Sequence, residues 1–173
     1  MRLILLRHSK AEKAEPGMSD HERPLNDRGR ADASKIGAYL TRHKFVPDRA
    51  VVSTARRTRE TWDGVAAAFA AKPAVDFNER LYNASADAIV ALIKEAGRGS
   101  ATLMLVGHNP GIHDAARLLI ASGDVEARER LNEGLPTSGL AVIDFAVRDW
   151  GALHQRSGRL ERFVSPRSLA ATT

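Results

Sequence analysis

The sequence predicts an α/β fold of three layers, α/β/α, with a mainly parallel central sheet. Three observations carry that prediction. Short, wholly apolar runs recur along the chain, as in LILL (Leu3 to Leu6) and ATLMLVG (Ala101 to Gly107). Segments with apolar residues at helical spacing lie between them. The runs themselves do not alternate with polar residues, which is the pattern of strands covered on both faces.

In chain order, Leu3 to Leu6 is the first buried strand, and a long polar loop with Pro16-Gly17 and Pro24 follows it. Asn26-Asp27 can cap a helix running to about His43, with Ile36, Tyr39 and Leu40 on one face. RAVVS (Arg49 to Ser53) reads as a short strand, and a helix from about Ala55 to Ala70 succeeds it. AVDF is the next strand, and Ala86 to Ala96 an amphipathic helix with Ile89, Leu92 and Ile93 inward. After ATLMLVG, Asn109 is expected to cap a helix with Pro110 at its first position, where a missing N–H costs nothing. A charged helical stretch leads to the strand GLAVIDFAV (Gly139 to Val147), and GRLERFVSP is expected beside it as an antiparallel edge. No repeat or low-complexity linker interrupts the chain, so residues 1–173 read as one domain, with about 165–173 as a frayed tail.

Composition narrows the function. The absence of cysteine excludes a disulfide framework, thiolate zinc sites and a cysteine nucleophile. No signal-peptide pattern or membrane-length apolar stretch is present, so a cytoplasmic protein without membrane association is expected. The net charge of +5 suits a nucleic acid, an acidic partner or a phosphorylated substrate. Scattered cations and few aromatics argue against nucleic acid, which would want a stacking surface.

Ligands of open α/β sheets bind beyond the carboxyl ends of the strands. The first strand ends in Arg7-His8, the second in STARRTRET (Ser53 to Thr61), and ATLMLVG in His108-Asn109. Two histidines and several arginines would therefore converge beside a helix N-terminus, a setting for a multiply charged anion such as a phosphoryl group. Guanidinium forks grip phosphate oxygens in pairs and keep their charge. An imidazole held at one nitrogen can attack through the other.

LLRHSKAE, STARRTRET and LVGHNPG, in that order, resemble the signature segments of the histidine phosphatase superfamily, whose fold is also called phosphoglycerate mutase-like. The stretch DHERPL (Asp20 to Leu25) and the short chain resemble its SixA-like phosphohistidine phosphatases. The resemblance runs from Arg2 to about Phe145. It implies that His8 is the phosphoryl-accepting nucleophile, that Arg7 and Arg57 hold the non-bridging oxygens, and that His108 is the second imidazole of the pocket. Arg57 rather than Arg56 fits the spacing from Ser53 to Thr61. Arg23 can add a guanidinium from the loop. Ser9 stands where many relatives have Gly, and either narrows the approach or adds a phosphate contact. Thr54 and Glu60 replace a frequent Pro and Gln. Glu79, in NERLYNA, is the favoured proton donor and Asp20 the other candidate; a phosphohistidine substrate needs neither.

The expected activity is metal-independent hydrolysis of a protein phosphohistidine or a small phosphorylated metabolite through phospho-His8, by a monomer without cofactor. A phosphomutase of the same superfamily and a phosphate- or polyanion-binding module without turnover are the alternatives. His21, His43, His113 and His154 read as surface or packing residues, and Trp62 and Trp150 as core or rim packing. His108 and His113 are five apart, which does not suit a zinc pair on one helical face. EARERLNE (Glu126 to Glu133) reads as a solvated helix.

Overall fold

The computed structural model describes residues 1–171. Strand β1 (Arg2–Arg7) is central because its apolar run serves two faces: Leu3 and Leu5 point one way, Ile4 and Leu6 the other, and all four are fully buried. Each such side chain contributes about 1.5–3 kcal/mol by leaving water. The other strands are β2 (Arg49–Val52), β3 (Ala74–Phe77), β4 (Thr102–Gly107), β5 (Ile120–Gly123), β6 (Leu140–Phe145) and β7 (Gly158–Val164). Among the described residues they form one sheet in the order β3-β2-β4-β1-β6-β7-β5. The first four strands run parallel, β6 is antiparallel to both β1 and β7, and β5 returns parallel to β7.

The helices are α1 (Asp27–Arg42), α2 (Arg56–Ala66), α3 (Ala86–Ala96), α4 (Gly111–Leu119), α5 (Val125–Glu133) and α6 (Pro166–Ala170). Ile36 and Leu40 of α1 and Trp62 and Val65 of α2 share a core with Ile4, Leu6, Val52 and Val106. Ile89 and Leu92 of α3, Ile112 of α4 and Leu131 of α5 share another with Leu3, Leu5, Leu103 and Leu105. The three layers follow from that division. Trp62 and Trp150 are both buried in these cores, as expected. No helix among the described residues is long and apolar enough to cross a membrane.

The structure differs from the sequence reading at several boundaries. β7 is not the edge, because Ile120–Gly123, directly after α4 and not expected as a strand, adds one outside it. Helix α2 stops at Ala66, and Phe69 folds back edge-on against Trp62 at 6.2 Å between ring centroids. The N-cap of α4 is Pro110, not Asn109, whose side-chain N–H donates instead to the Leu135 carbonyl at 2.8 Å. The expected tail carries α6, closed by a capping box between Ser165 and Ser168, with Leu169 against the α1–α2 core; residues 172–173 lie outside the described residues.

Parallel pairing positions the site. Arg7 is in register with Gly107, and Val52 with Val106, so Arg7-His8, Ser53 and His108 reach one edge of the sheet together. The loop after His8 is closed by a bridge between Ala11 and Leu25 and by the Asn26 N–H donating to the Lys10 carbonyl at 3.0 Å. Helix α1 begins against that carbonyl, and only glycine fits at position 29: a Cβ there would lie 2.1 Å from the Lys10 oxygen.

Candidate active site

His8 is fixed by its backbone before its ring is considered. Its N–H donates to the Gly107 carbonyl at 3.0 Å, and its carbonyl accepts from the Ser138 N–H at 3.1 Å. Its Nδ1 lies 2.7 Å from the Ser9 carbonyl, an acceptor only, so Nδ1 carries the hydrogen and Nε2 keeps a free lone pair. Burial, with a smaller contribution from the Arg57, Arg7 and Arg23 charges, pushes the imidazole down to about 4. At neutral pH the ring is therefore uncharged, with the Nε2 lone pair available.

His108 faces it, with ring centroids 5.4 Å apart. Burial first, then the neighbouring His8 and Arg57, pushes it down to about 3. The Ser53 hydroxyl is 2.7 Å from Nε2 and accepts from the Ala55 N–H at 3.4 Å. That hydroxyl can donate to Nε2, leaving the hydrogen on Nδ1, a buried atom without a partner. The Arg7 and Arg57 Nε atoms are also buried and unpartnered. An oxyanion between these groups would meet waiting donors.

The segment from Ser53 to Thr61 assembles this pocket from behind. Arg57 and Thr61 sit four apart on α2 and so face the same way. Thr61 donates its hydroxyl to the Arg57 carbonyl at 2.7 Å and accepts the Ser9 N–H at 2.9 Å, tying α2 to the turn after β1. Arg57 is buried, whereas Arg56 lies outside, 3.6 Å from Glu60. Ser9 is fully buried, with its hydroxyl 2.6 Å from that of Ser138. It supports the His8 turn rather than offering a hydroxyl on the open side.

The proton-donor candidates separate. Asp20 is on the short 3-10 turn Asp20–Glu22 and accepts at Oδ2 from the Tyr82 hydroxyl at 2.6 Å and from Arg57 at 3.0 Å. Its Oδ1 accepts from Arg23 at 3.1 Å, and its carbonyl from Arg57 at 2.7 Å. The Tyr82 hydroxyl, then the Arg23 and Arg57 guanidinium groups, hold this carboxyl well below the usual carboxylate range. An anion so held does not donate a proton near neutrality. Glu79 is exposed on the turn Glu79–Leu81, without a side-chain hydrogen bond or ion pair among the described residues.

Two residues near the pocket escaped the sequence reading. Tyr82 places its ring edge-on to His108 at 5.4 Å between centroids and to His21 at 5.0 Å. His21, expected as a surface or packing residue, lies 3.0 Å from the Thr54 hydroxyl at the rim. The signal for Tyr82 was present in NERLYNA, three residues beyond the glutamate that drew attention. Among the described residues no group of three or more His, Cys, Asp or Glu side chains could hold a metal ion.

Known proteins resemble this chain in sequence and fold. The family model of the histidine phosphatase superfamily (branch 1) matches residues 3–97. An uncharacterised protein of Mycobacterium leprae is 35% identical over 153 residues, covering 87% of this chain and 91% of its own. A crystal structure from Agrobacterium tumefaciens, provisionally assigned as the phosphohistidine phosphatase SixA, is 34% identical with a TM-score of 0.81, covering 95% of this chain and 97% of its own. A Nakamurella multipartitia structure with the same provisional assignment is 28% identical with a TM-score of 0.81, covering 95% of each chain.

Proposed function

The chain belongs to the histidine phosphatase superfamily, in its SixA-like branch, and we propose that it hydrolyses protein phosphohistidine without a metal ion, through a phosphoryl group carried on His8. The observation that carries this reading is the 2.7 Å contact from His8 Nδ1 to the Ser9 carbonyl, which leaves Nε2 unprotonated. In the first step Nε2 forms a bond to phosphorus as the substrate P–N bond breaks, and the departing imidazole keeps the electron pair and takes a proton from water. In the second step water attacks phosphorus, the P–Nε2 bond breaks, and orthophosphate leaves with His8 restored.

The guanidinium groups of Arg7 and Arg57 neutralise the phosphoryl oxygens, and His108 Nδ1 donates to one of them. Preorganised donors of this kind are each worth about 100–1,000-fold in kcat. The state of the carboxyl groups favours phosphohistidine over an alkyl ester. Asp20 is clamped as an anion and Glu79 is exposed with no side-chain partner among the described residues, whereas an imidazole leaves with less help than an alkoxide.

The test is phosphate release from a phosphohistidine peptide and from an aryl phosphate, in EDTA, with wild type and His8→Ala. Turnover in the wild type that falls to background in the variant is expected, together with acid-labile label on the wild-type protein alone. Turnover surviving in His8→Ala, or abolished by EDTA, contradicts the mechanism. Binding of phosphate without any turnover would favour a binding module instead.

A further inference from the structure

A groove of about 860 Å3 opens from the site past Arg7 and is walled by the end of α5, the 134–136 segment, Phe163 of β7 and the start of α6. It is far larger than a phosphoryl group needs. Arg7 joins the two spaces: it belongs to the phosphate pocket by its charge on His8, and its Nη1 donates at 3.1 Å to the carbonyl of Leu135 in the groove wall.

The groove is built for one kind of charge. Arg130 and Arg167 line it beside Arg7, against the single carboxylate of Glu133. Neither Arg130, Arg167 nor Glu133 forms an ion pair among the described residues. Arg130 instead lies over the Phe163 ring, 5.7 Å from its centroid, which sets a cation above an apolar floor completed by Leu135 and Pro136. His113 contributes no free donor from Nε2, which is 2.6 Å from the Leu131 carbonyl. Guanidinium groups that outnumber the one carboxylate and pair with none among the described residues, on an open, partly apolar trough, match an extended acidic segment better than an enclosed small molecule.

We propose that this groove binds an acidic, partly apolar polypeptide segment next to the phosphohistidine of the substrate protein, with Arg130 and Arg167 as its specificity-determining residues. The inference rests on the phosphatase reading for its purpose, but the groove binds peptide whether or not turnover occurs.

Two peptides, each with a central histidine flanked by either Asp/Glu or Asn/Gln, separate the possibilities. Unphosphorylated and fluorescently labelled, they are titrated by anisotropy; chemically phosphorylated on histidine, they are assayed for phosphate release. The wild type is expected to favour the acidic peptide at least tenfold in Kd and in KM, with the preference collapsing at high salt. Arg130→Ala/Arg167→Ala is expected to lose that preference while hydrolysing an aryl phosphate at the wild-type rate. Equal binding of the two peptides by the wild type, or a preference that survives in the double variant, overturns the proposal. So does a dependence on these arginines seen with carboxyphenyl phosphate but not with peptide, which would make the groove a small-anion subsite. Failure of the wild type to hydrolyse any substrate strikes the phosphatase reading alone, since the anisotropy arm needs no turnover.

Discussion

Arg57 already holds an anion. Its two terminal nitrogens address the carbonyl and carboxylate of Asp20, and that carboxylate also receives Arg23 and Tyr82. Two guanidinium groups and a phenol around one carboxylate form a donor set that a phosphoryl group would also satisfy. On the proposed phosphatase reading, Asp20 would therefore compete with substrate for Arg57. Replacing it by Asn keeps the side-chain volume and removes the charge, so inorganic phosphate, measured as a competitive inhibitor, is expected to bind several-fold more tightly to Asp20→Asn. A weaker phosphate Ki in that variant would mean that Asp20 props Arg57 in place instead. This competition was not legible in the sequence, because Asp20, Arg57 and Tyr82 meet only through the fold. What was legible was the chemistry that adjacent residues must share: Arg7-His8, the Ser53–Arg57–Thr61 spacing and Gly107-His108 each stand at the end of a strand, where a pocket forms.

The elements were legible where one physical signal dominates. The apolar runs inside β1 and β4 and the Asn26 cap, whose Oδ1 accepts the Gly29 N–H at 2.8 Å, lie where the pattern predicts. The signal failed where two elements share one apolar stretch, as at α4 and β5, or where a tertiary contact outweighs propensity, as at Phe69. Gly29 shows such a contact at work. On an open helix, Gly→Ala stabilises by up to about 1 kcal/mol. Here the added methyl would meet the Lys10 carbonyl, a backbone group that cannot swing aside. Overpacking costs about 1–3 kcal/mol, so Gly29→Ala is expected to lower the urea midpoint at unchanged slope. Because Lys10 is two residues beyond His8, the displaced loop should also lower kcat. A raised midpoint would show that the loop yields freely and that helix propensity prevails.

Across the whole molecule, the sheet keeps two uncharged imidazoles buried amid cations, and that arrangement ties stability to pH. His8 is held down to about 4 and His108 to about 3, against about 6.5 for an exposed imidazole in the unfolded chain. As pH falls below about 6.5, the unfolded chain takes up these protons before the folded protein does, so acid favours unfolding. The contribution is complete above about pH 6.5 and is lost progressively down to about pH 4 for His8 and about pH 3 for His108. For His8 alone the loss is of order 3 kcal/mol, roughly 10 °C in melting temperature for a chain of this length. The Asp20 carboxylate, depressed further, adds to the decline only at still lower pH. A melting series from pH 7.5 to pH 4 should therefore fall steeply for the wild type. His8→Asn, which cannot take up the proton, should fall less over the same interval, the difference between the curves isolating His8 from the growing positive charge of the chain. Parallel curves would mean that His8 titrates alike in the folded and unfolded chain, and would remove the basis for an uncharged nucleophile at acid pH. Millimolar orthophosphate should raise the wild-type melting temperature most strongly where the dianion prevails, because its charge offsets that of Arg7 and Arg57 beside the same two rings.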